Sequence, residues 1–248
     1  MSSRSTAAAS TATSTTTSAT TETPSANDVA RADSFRRRVA GLCLVLAPVA
    51  FSAAEMLAPE GGSDAPSVYA GWAAHRTAGL VAAFIGLAAT ILFLPGFFGL
   101  LAPVVGRGRR VGHIAIGAVL YGLVMAHAAL TGVNLAFYGA TGPGVDRASG
   151  LSVMDSLMTD PAVGAPLLLG HQVFTLGVLL VAVAVIRSRQ FGRWAGWAVV
   201  AAVVSDIVLG SLPVPGLLGD VVSGSLLVVG FAALGLQLMR DPLSRSAV

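Results

Sequence analysis

The chain has 248 residues, 54% of them hydrophobic and only 11% charged, against about a quarter charged in a soluble domain of ordinary composition. With a mean hydropathy of +0.78, it lacks the polar residues a water-soluble globule needs to cover its core. The net charge of +3 and pI near 9.7 come from arginines set in short clusters between apolar runs, without interleaved stacking aromatics; that is a topology pattern and argues against a nucleic-acid partner.

The first segment, Met1 to Asp33, is rich in Ser, Thr and Ala and nearly free of large apolar residues. It buries too little surface to offset its ordering entropy, so residues 1–35 are expected to form a disordered cytoplasmic tail. Arg36-Arg37-Arg38 then precede an apolar run. Twin arginines and the small residues Ser52-Ala53-Ala54 also resemble a signal peptide, but the basic group starts far from the N-terminus and five more apolar spans follow. An uncleaved first helix fits better.

A membrane span takes about 20 apolar residues. The runs that meet this are Val39–Ala58, Ala74–Leu101, Val111–Phe137, Pro166–Ile186, Trp194–Leu212 and Leu217–Met239. The second and third exceed the need, implying tilt or interfacial extension, and Pro95-Gly96 should kink the second. The expected fold is therefore all-α: a polytopic bundle of six transmembrane helices over residues 36–240, followed by a cytoplasmic tail, 241–248.

Arginine placement sets the orientation. Thirteen of the fifteen fall at one set of ends, as Arg36 to Arg38, Arg109-Arg110, Arg187 and Arg193 illustrate; only Arg76 and Arg147 fall at the other, with Glu60, Asp64, Asp146, Asp155 and Asp160. The positive-inside rule then puts both termini in the cytoplasm and the protein in the plasma membrane, with the lipid bilayer as its first partner. Trp194 and Trp197 fall at the inner interface, and Tyr69, Trp72 and Tyr138 at the outer one. After the turn Thr141-Gly142-Pro143-Gly144, the spacing of Leu151, Met154, Leu157 and Met158 predicts a short helix ending before Asp160-Pro161, on the membrane or capping the bundle.

Three in-going starts look alike: Arg37-Arg38-Val39-Ala40-Gly41, Arg109-Arg110-Val111-Gly112-His113 and Gly192-Arg193-Trp194-Ala195-Gly196. The returning helices share Ala74-His75, Gly170-His171 and Gly219-Asp220. These raise the prospect of three hairpins in repeat, with Glu55 opposite His127. Gly112, Gly117, Gly122, Gly192 and Gly196 read as close-packing positions, and the lone Cys43 as a small membrane hydrophobe that allows no internal disulfide.

Ionisable groups inside spans are costly and face the bundle interior or water. Here they gather toward the outer half: Glu55 in the first helix; His127, Thr131 and Asn134 at i, i+4 and i+7 in the third; His171 and Gln172 about one turn into the fourth; Asp206 about twelve residues into the fifth; Asp220 and Ser223 at the start of the sixth. The inner half is nearly pure hydrocarbon apart from His113 and Gln237. Three readings compete. The groups satisfy one another, Glu55 or Asp206 pairing with a histidine or Arg76 while Asn134 and Gln172 bridge helices. Or they line an outward-facing pocket for a small-molecule ligand or a proton relay, with Glu55, His127, Asn134, His171 and Asp206 as its members. Or His75, His127 and His171, with Glu55 or Asp206, hold a divalent metal for membrane chemistry; they lack the HExxH spacing, and no cofactor is named by the sequence. There is no P-loop, no GxGxxG and no GxSxG.

The stretch from Arg38-Val39-Ala40-Gly41 to Phe51 and Glu55, with His171 to Gly177, Phe191-Gly192-Arg193-Trp194-Ala195-Gly196 and Asp206, resembles a family of uncharacterised six-helix bacterial membrane proteins, a domain of unknown function. The resemblance covers scattered positions from Arg38 to Met239; the acid expected in the last helix is missing unless Asp220 replaces it. It implies a six-helix bundle and no activity. The arginine-only, Ala/Val/Gly-rich composition points to a high-GC source such as an actinobacterium. The expectation is a non-enzymatic membrane protein binding or translocating a small molecule or protons; the alternatives are a metal-dependent membrane enzyme and an envelope accessory subunit.

Overall fold

The computed structural model describes residues 25–59, 61–101, 109–188, 190–210 and 216–240. Residues 1–24 of the expected tail, the C-terminal tail 241–248, Glu60, Arg107, Arg189 and the Asp220 side chain lie outside the described residues. Within them the chain forms eight helices and no strand: α1 (Ala26–Leu57), α2 (Ala65–Ala74), α3 (Arg76–Leu101), α4 (Arg109–Ala140), α5 (Arg147–Thr159), α6 (Pro161–Ser188), α7 (Arg193–Gly210) and α8 (Gly216–Met239). Five of these (α1, α3, α4, α6 and α8) are long and apolar enough to cross a bilayer, the arrangement of a multi-pass helical membrane protein.

Local chemistry explains where helices begin earlier than hydropathy suggested. Ser25 caps α1: its hydroxyl oxygen accepts from the Asp28 N–H and donates to the Asp28 carboxylate at 2.6 Å, and Asp28 sits where the helix dipole favours a negative charge. Helix therefore reaches back through the last ten residues of the segment 1–35. Likewise α6 begins at Pro161, whose missing N–H costs nothing in a first turn, and the Asp160 carboxylate accepts from the Ala162 N–H at 2.8 Å. This start places His171 about three turns into its helix rather than one. Pro95 lies inside an unbroken α3.

The six long helices contact one another in a ring, in the order α1, α3, α4, α6, α7, α8 and back to α1. The inner faces hold a single apolar core, with Phe93, Phe97 and Phe231 at its centre; the last two meet edge to face at 5.5 Å. Neighbouring chain segments pair as hairpins (α1 with α3, α4 with α6, α7 with α8). The returning helices do not start alike, however: Gly170-His171 lies well inside α6, and Gly219-Asp220 within the first turns of α8.

Outward faces are as apolar as the core. On α3, Phe84, Ile91 and Phe98, seven residues apart, are 56–58% exposed. Ile114 and Tyr121 repeat the pattern on α4, Leu169 and Leu176 on α6, Val229 and Leu236 on α8. A row of large apolar side chains around the whole perimeter is what lipid, not water, tolerates.

Glycines set the tightest seam. A Cβ on Gly170 would stand 2.6 Å from the Ala126 backbone nitrogen, and one on Gly177 2.6 Å from that of Val119, so α6 lies almost backbone to backbone on α4. Gly122 and Gly196 are close-packing positions as expected, whereas Gly117 faces open space. Gly192 serves a different end: its N–H donates to the Gln237 side-chain oxygen at 2.6 Å, tying the start of α7 to α8.

At the end of the bundle where α1, α4 and α7 finish, α2 and α5 form a small cap. Its core joins Trp72, Phe137, Ala140 and Met154, with Trp72 edge-on to Phe137 at 5.8 Å. Trp72 is 5% exposed, so it packs inside the cap and is not a member of an interfacial belt. The α5 helix occupies the segment its spacing predicted, and Met154 buries completely. Asp146 caps it, accepting from the Ser149 N–H at 3.0 Å; the hydrogen bonds from Ser149 hold the Asp146 carboxyl below its usual range.

Candidate functional site

Toward the same end, the ring encloses a partly open cavity of about 460 Å³. Five helices wall it. α1 supplies Phe51, Ser52 and Glu55; α4 supplies His127; α6 supplies His171, Phe174 and Thr175; α7 supplies Asp206; α8 supplies Ser223 and Gly224. Of the residues singled out in the sequence, Glu55, His127, His171 and Asp206 thus meet around one space.

Helix geometry explains the meeting. Glu55 lies near the last turn of α1, and Asp206 about 20 Å along α7 and close to its end, so two helices that finish at the same end of the ring bring them to similar depth. The histidines are delivered by the glycine seam. Gly170 immediately precedes His171, and Ala126, on which it packs, immediately precedes His127. Close approach of the two backbones there fixes both imidazoles on the cavity wall.

His127 is the most enclosed member, at 8% exposure, with its ring edge-on to Phe51 at a centroid separation of 5.5 Å. Glu55, His171 and Asp206 also line the space and are exposed. Asp206 and His171 have no ion-pair partner among the described residues. The mutual pairing considered from the sequence is not what Arg76 does, either. Its Nε donates to the Tyr138 carbonyl oxygen at 3.0 Å, and its guanidinium lies 3.8 Å from the centre of the Tyr138 ring, so it clasps the end of α4.

Two expected members stand elsewhere. Asn134 shares a face with His127 but is not part of the lining; it lies two turns further along α4, toward the cap. His75 ends α2 as its exposed C-cap residue, its N–H bonded to the Gly71 carbonyl, so the trio His75, His127 and His171 does not converge. Among the described residues no three His, Cys, Asp or Glu side chains are grouped to hold a metal ion. His113, at the opposite end, donates from Nδ1 to the Arg109 carbonyl at 2.7 Å.

Ser52 was missed as a site residue. Its Oγ is buried at the cavity wall without a hydrogen-bond partner among the described residues, pressed against Gly224, where a Cβ would come within 2.8 Å of it. The signal was present: Ser52 and Glu55 are three residues apart and share a helix face. Serine is so common in apolar helices that this spacing carries little weight alone.

Compared with protein-family models, curated proteins and solved structures, the chain matches none.

Proposed function

We propose that this chain is a six-span plasma-membrane protein with both termini in the cytoplasm, which binds a small molecule in the cavity between α1, α4, α6, α7 and α8 and exposes it to the outer side. The sixth span is α7. Its 18 residues reach roughly 27 Å, against a hydrocarbon core of about 30 Å, and its Trp197 and Val204 continue the outward apolar rows of its neighbours. The arginine bias supports the orientation, and the resemblance to a six-helix family points the same way.

One observation carries the ligand reading: five separate helices bring Glu55, His127, His171, Asp206 and three hydroxyl residues to a single space of about 460 Å³. Ligand pockets occupy roughly 300–1,000 Å³, with mostly apolar walls and a few convergent polar groups. A network that only pins helices would close on itself, leaving neither the space nor the orphaned Ser52 oxygen. The role is one of binding, or of passing the bound molecule or protons, without catalysis.

The test is identification of small molecules that co-purify with the full chain. Wild type is expected to retain a compound that is lost from Thr175→Trp, which fills the cavity, and kept by Leu169→Trp, which changes the lipid-facing side of the same helix. Equal retention by both variants would remove the cavity as the binding site.

A further inference from the structure

Resting on that pocket reading, we infer that the cavity also opens sideways, between the outer halves of α6 and α7, and takes up a lipid-soluble amphipathic molecule from the surrounding bilayer. Thr175 lies thirteen residues before the end of α6, and Asp206 thirteen after the start of α7. Both therefore stand about 20 Å from the end where the two helices are joined. In a hydrocarbon core of about 30 Å, a sideways opening at that level meets acyl chains. Three other seams beside the cavity are closed near this depth: Gly170 lies on Ala126 between α4 and α6, Gly224 on Ser52 between α1 and α8, and Gly219 on Leu209 between α7 and α8. The α6–α7 seam closes toward its inner end, where a Cβ on Gly196 would come within 2.6 Å of the Ile186 side chain. At the level of Thr175 and Asp206, both helices face the cavity instead.

Exposure marks the same place. Asp206, Ile207 and Val208 are exposed in succession; successive residues lie about 100° apart, so the last turn of α7 is uncovered over about 200° of its circumference. On α6, Leu168, Leu169, His171 and Gln172 are exposed, and Gly170 between them, which faces α4, is buried. The flanks of the gap are apolar: Leu176 on α6 is 55% exposed, and Val204 and Ile207 on α7 are 49% and 54% exposed. Beside them, the Gln172 and Asp206 side chains have no hydrogen-bond partner among the described residues. Polar groups at such depth mark a path or a water-filled space, since hydrocarbon alone would leave them unsatisfied. A molecule entering here slides an apolar body between the leucine and valine flanks and hands its head from Gln172 to Thr175, His171 and Asp206. The head needs hydrogen-bonding capacity and no particular charge, because the lining mixes carboxyl, imidazole and hydroxyl groups. A space of about 460 Å³ suits a drug-sized body, which makes the ligand a single-chain or compact amphipath.

The experiment uses the full chain with Cys43→Ser and Thr175→Cys, labelled with bimane, in phosphatidylcholine vesicles with or without bromine at mid-chain. Bromine quenches on contact, and an acyl chain anchored in the bilayer reaches the cavity only from the side. Leu176→Cys, one residue on and facing lipid, reports quenching at the same depth. The label at 175 is expected to lose fluorescence to brominated lipid within about twofold of the label at 176. Dodecanol, a single-chain amphipath, should restore the signal at 175 by displacing the lipid chain, and leave 176 quenched. Asp206→Cys, level with Thr175, takes its place if that variant does not fold. Brominated lipid that quenches 176 and leaves 175 bright overturns the sideways opening. Quenching at 175 that dodecanol does not relieve overturns the amphipathic ligand. Aqueous iodide separates either failure from that of the pocket: if iodide quenches the label at 175, the pocket stands, and if neither iodide nor lipid reaches it, the pocket falls as well.

Discussion

At the scale of single residues, some polar groups serve packing and others face a space. Arg76 and Gln237 are satisfied across helix boundaries and hold the fold. Ser52 is the opposite case: an oxygen withdrawn from water without a partner costs about 1–3 kcal/mol. Ser52→Ala is therefore expected to leave the ligand-free protein as stable or more stable by up to about that amount, and to weaken ligand retention. Thermal unfolding in detergent, with and without extracted ligand, reads both. A clear loss of stability in the ligand-free variant would show that the hydroxyl is satisfied after all. Legibility at this scale was uneven. A charge inside an apolar run announces itself, so Glu55, His127, His171 and Asp206 could be found without coordinates. Asn134 announces itself equally, yet it lies past the cavity, because sequence gives the face of a residue but not the depth at which a space opens. The proposed pairing with Arg76 failed for a related reason: its partner is a backbone carbonyl and an aromatic face at the end of α4, neither of which has a charge to signal it.

At the scale of elements, the apolar runs located all six long helices, but their ends were set by caps that hydropathy ignores. Ser25 and Asp160 extended α1 and α6. Asp64, followed by Pro66, started α2, a ten-residue element too short for periodicity to reveal. Helix seams were legible only in part, because glycine has two uses in a membrane helix. Gly170 and Gly177 admit the neighbouring backbone, while Gly117 admits nothing and merely faces outward. The distinction is testable. Gly170→Ala should destabilise the protein by about 1–3 kcal/mol through overpacking against Ala126 and should impair ligand binding as well, since the displaced seam carries His127 and His171. Gly117→Ala should be neutral or stabilising by up to about 1 kcal/mol, through the helix preference of alanine. Unfolding midpoints of the two variants settle it; equal effects would mean that the α4–α6 contact is not the close approach described.

For the whole molecule, the inversion of polarity is the organising feature. Large apolar side chains ring the outside, aromatic and aliphatic groups fill the centre, and titratable groups gather at one end of the ring, beside a cap built by α2 and α5. Composition made the membrane-spanning character of the helices legible, because the bilayer imposes a simple rule on length and hydropathy; the direction of the chain, read from the arginine clusters, is part of the proposal. The cavity was not legible, since it depends on how far five helices stand apart. Its existence at the outer end is the claim on which the functional reading turns. The most direct measurement is labelling in intact cells with a membrane-impermeant thiol reagent, using Asp206→Cys, Glu55→Cys and His127→Cys in a Cys43→Ser background. All three are expected to react from outside, fastest at Asp206 and Glu55 and slowest at the more enclosed His127. Protection of all three, in protein shown to be folded and inserted, or reaction only from the cytoplasmic side of inverted vesicles, would contradict the account.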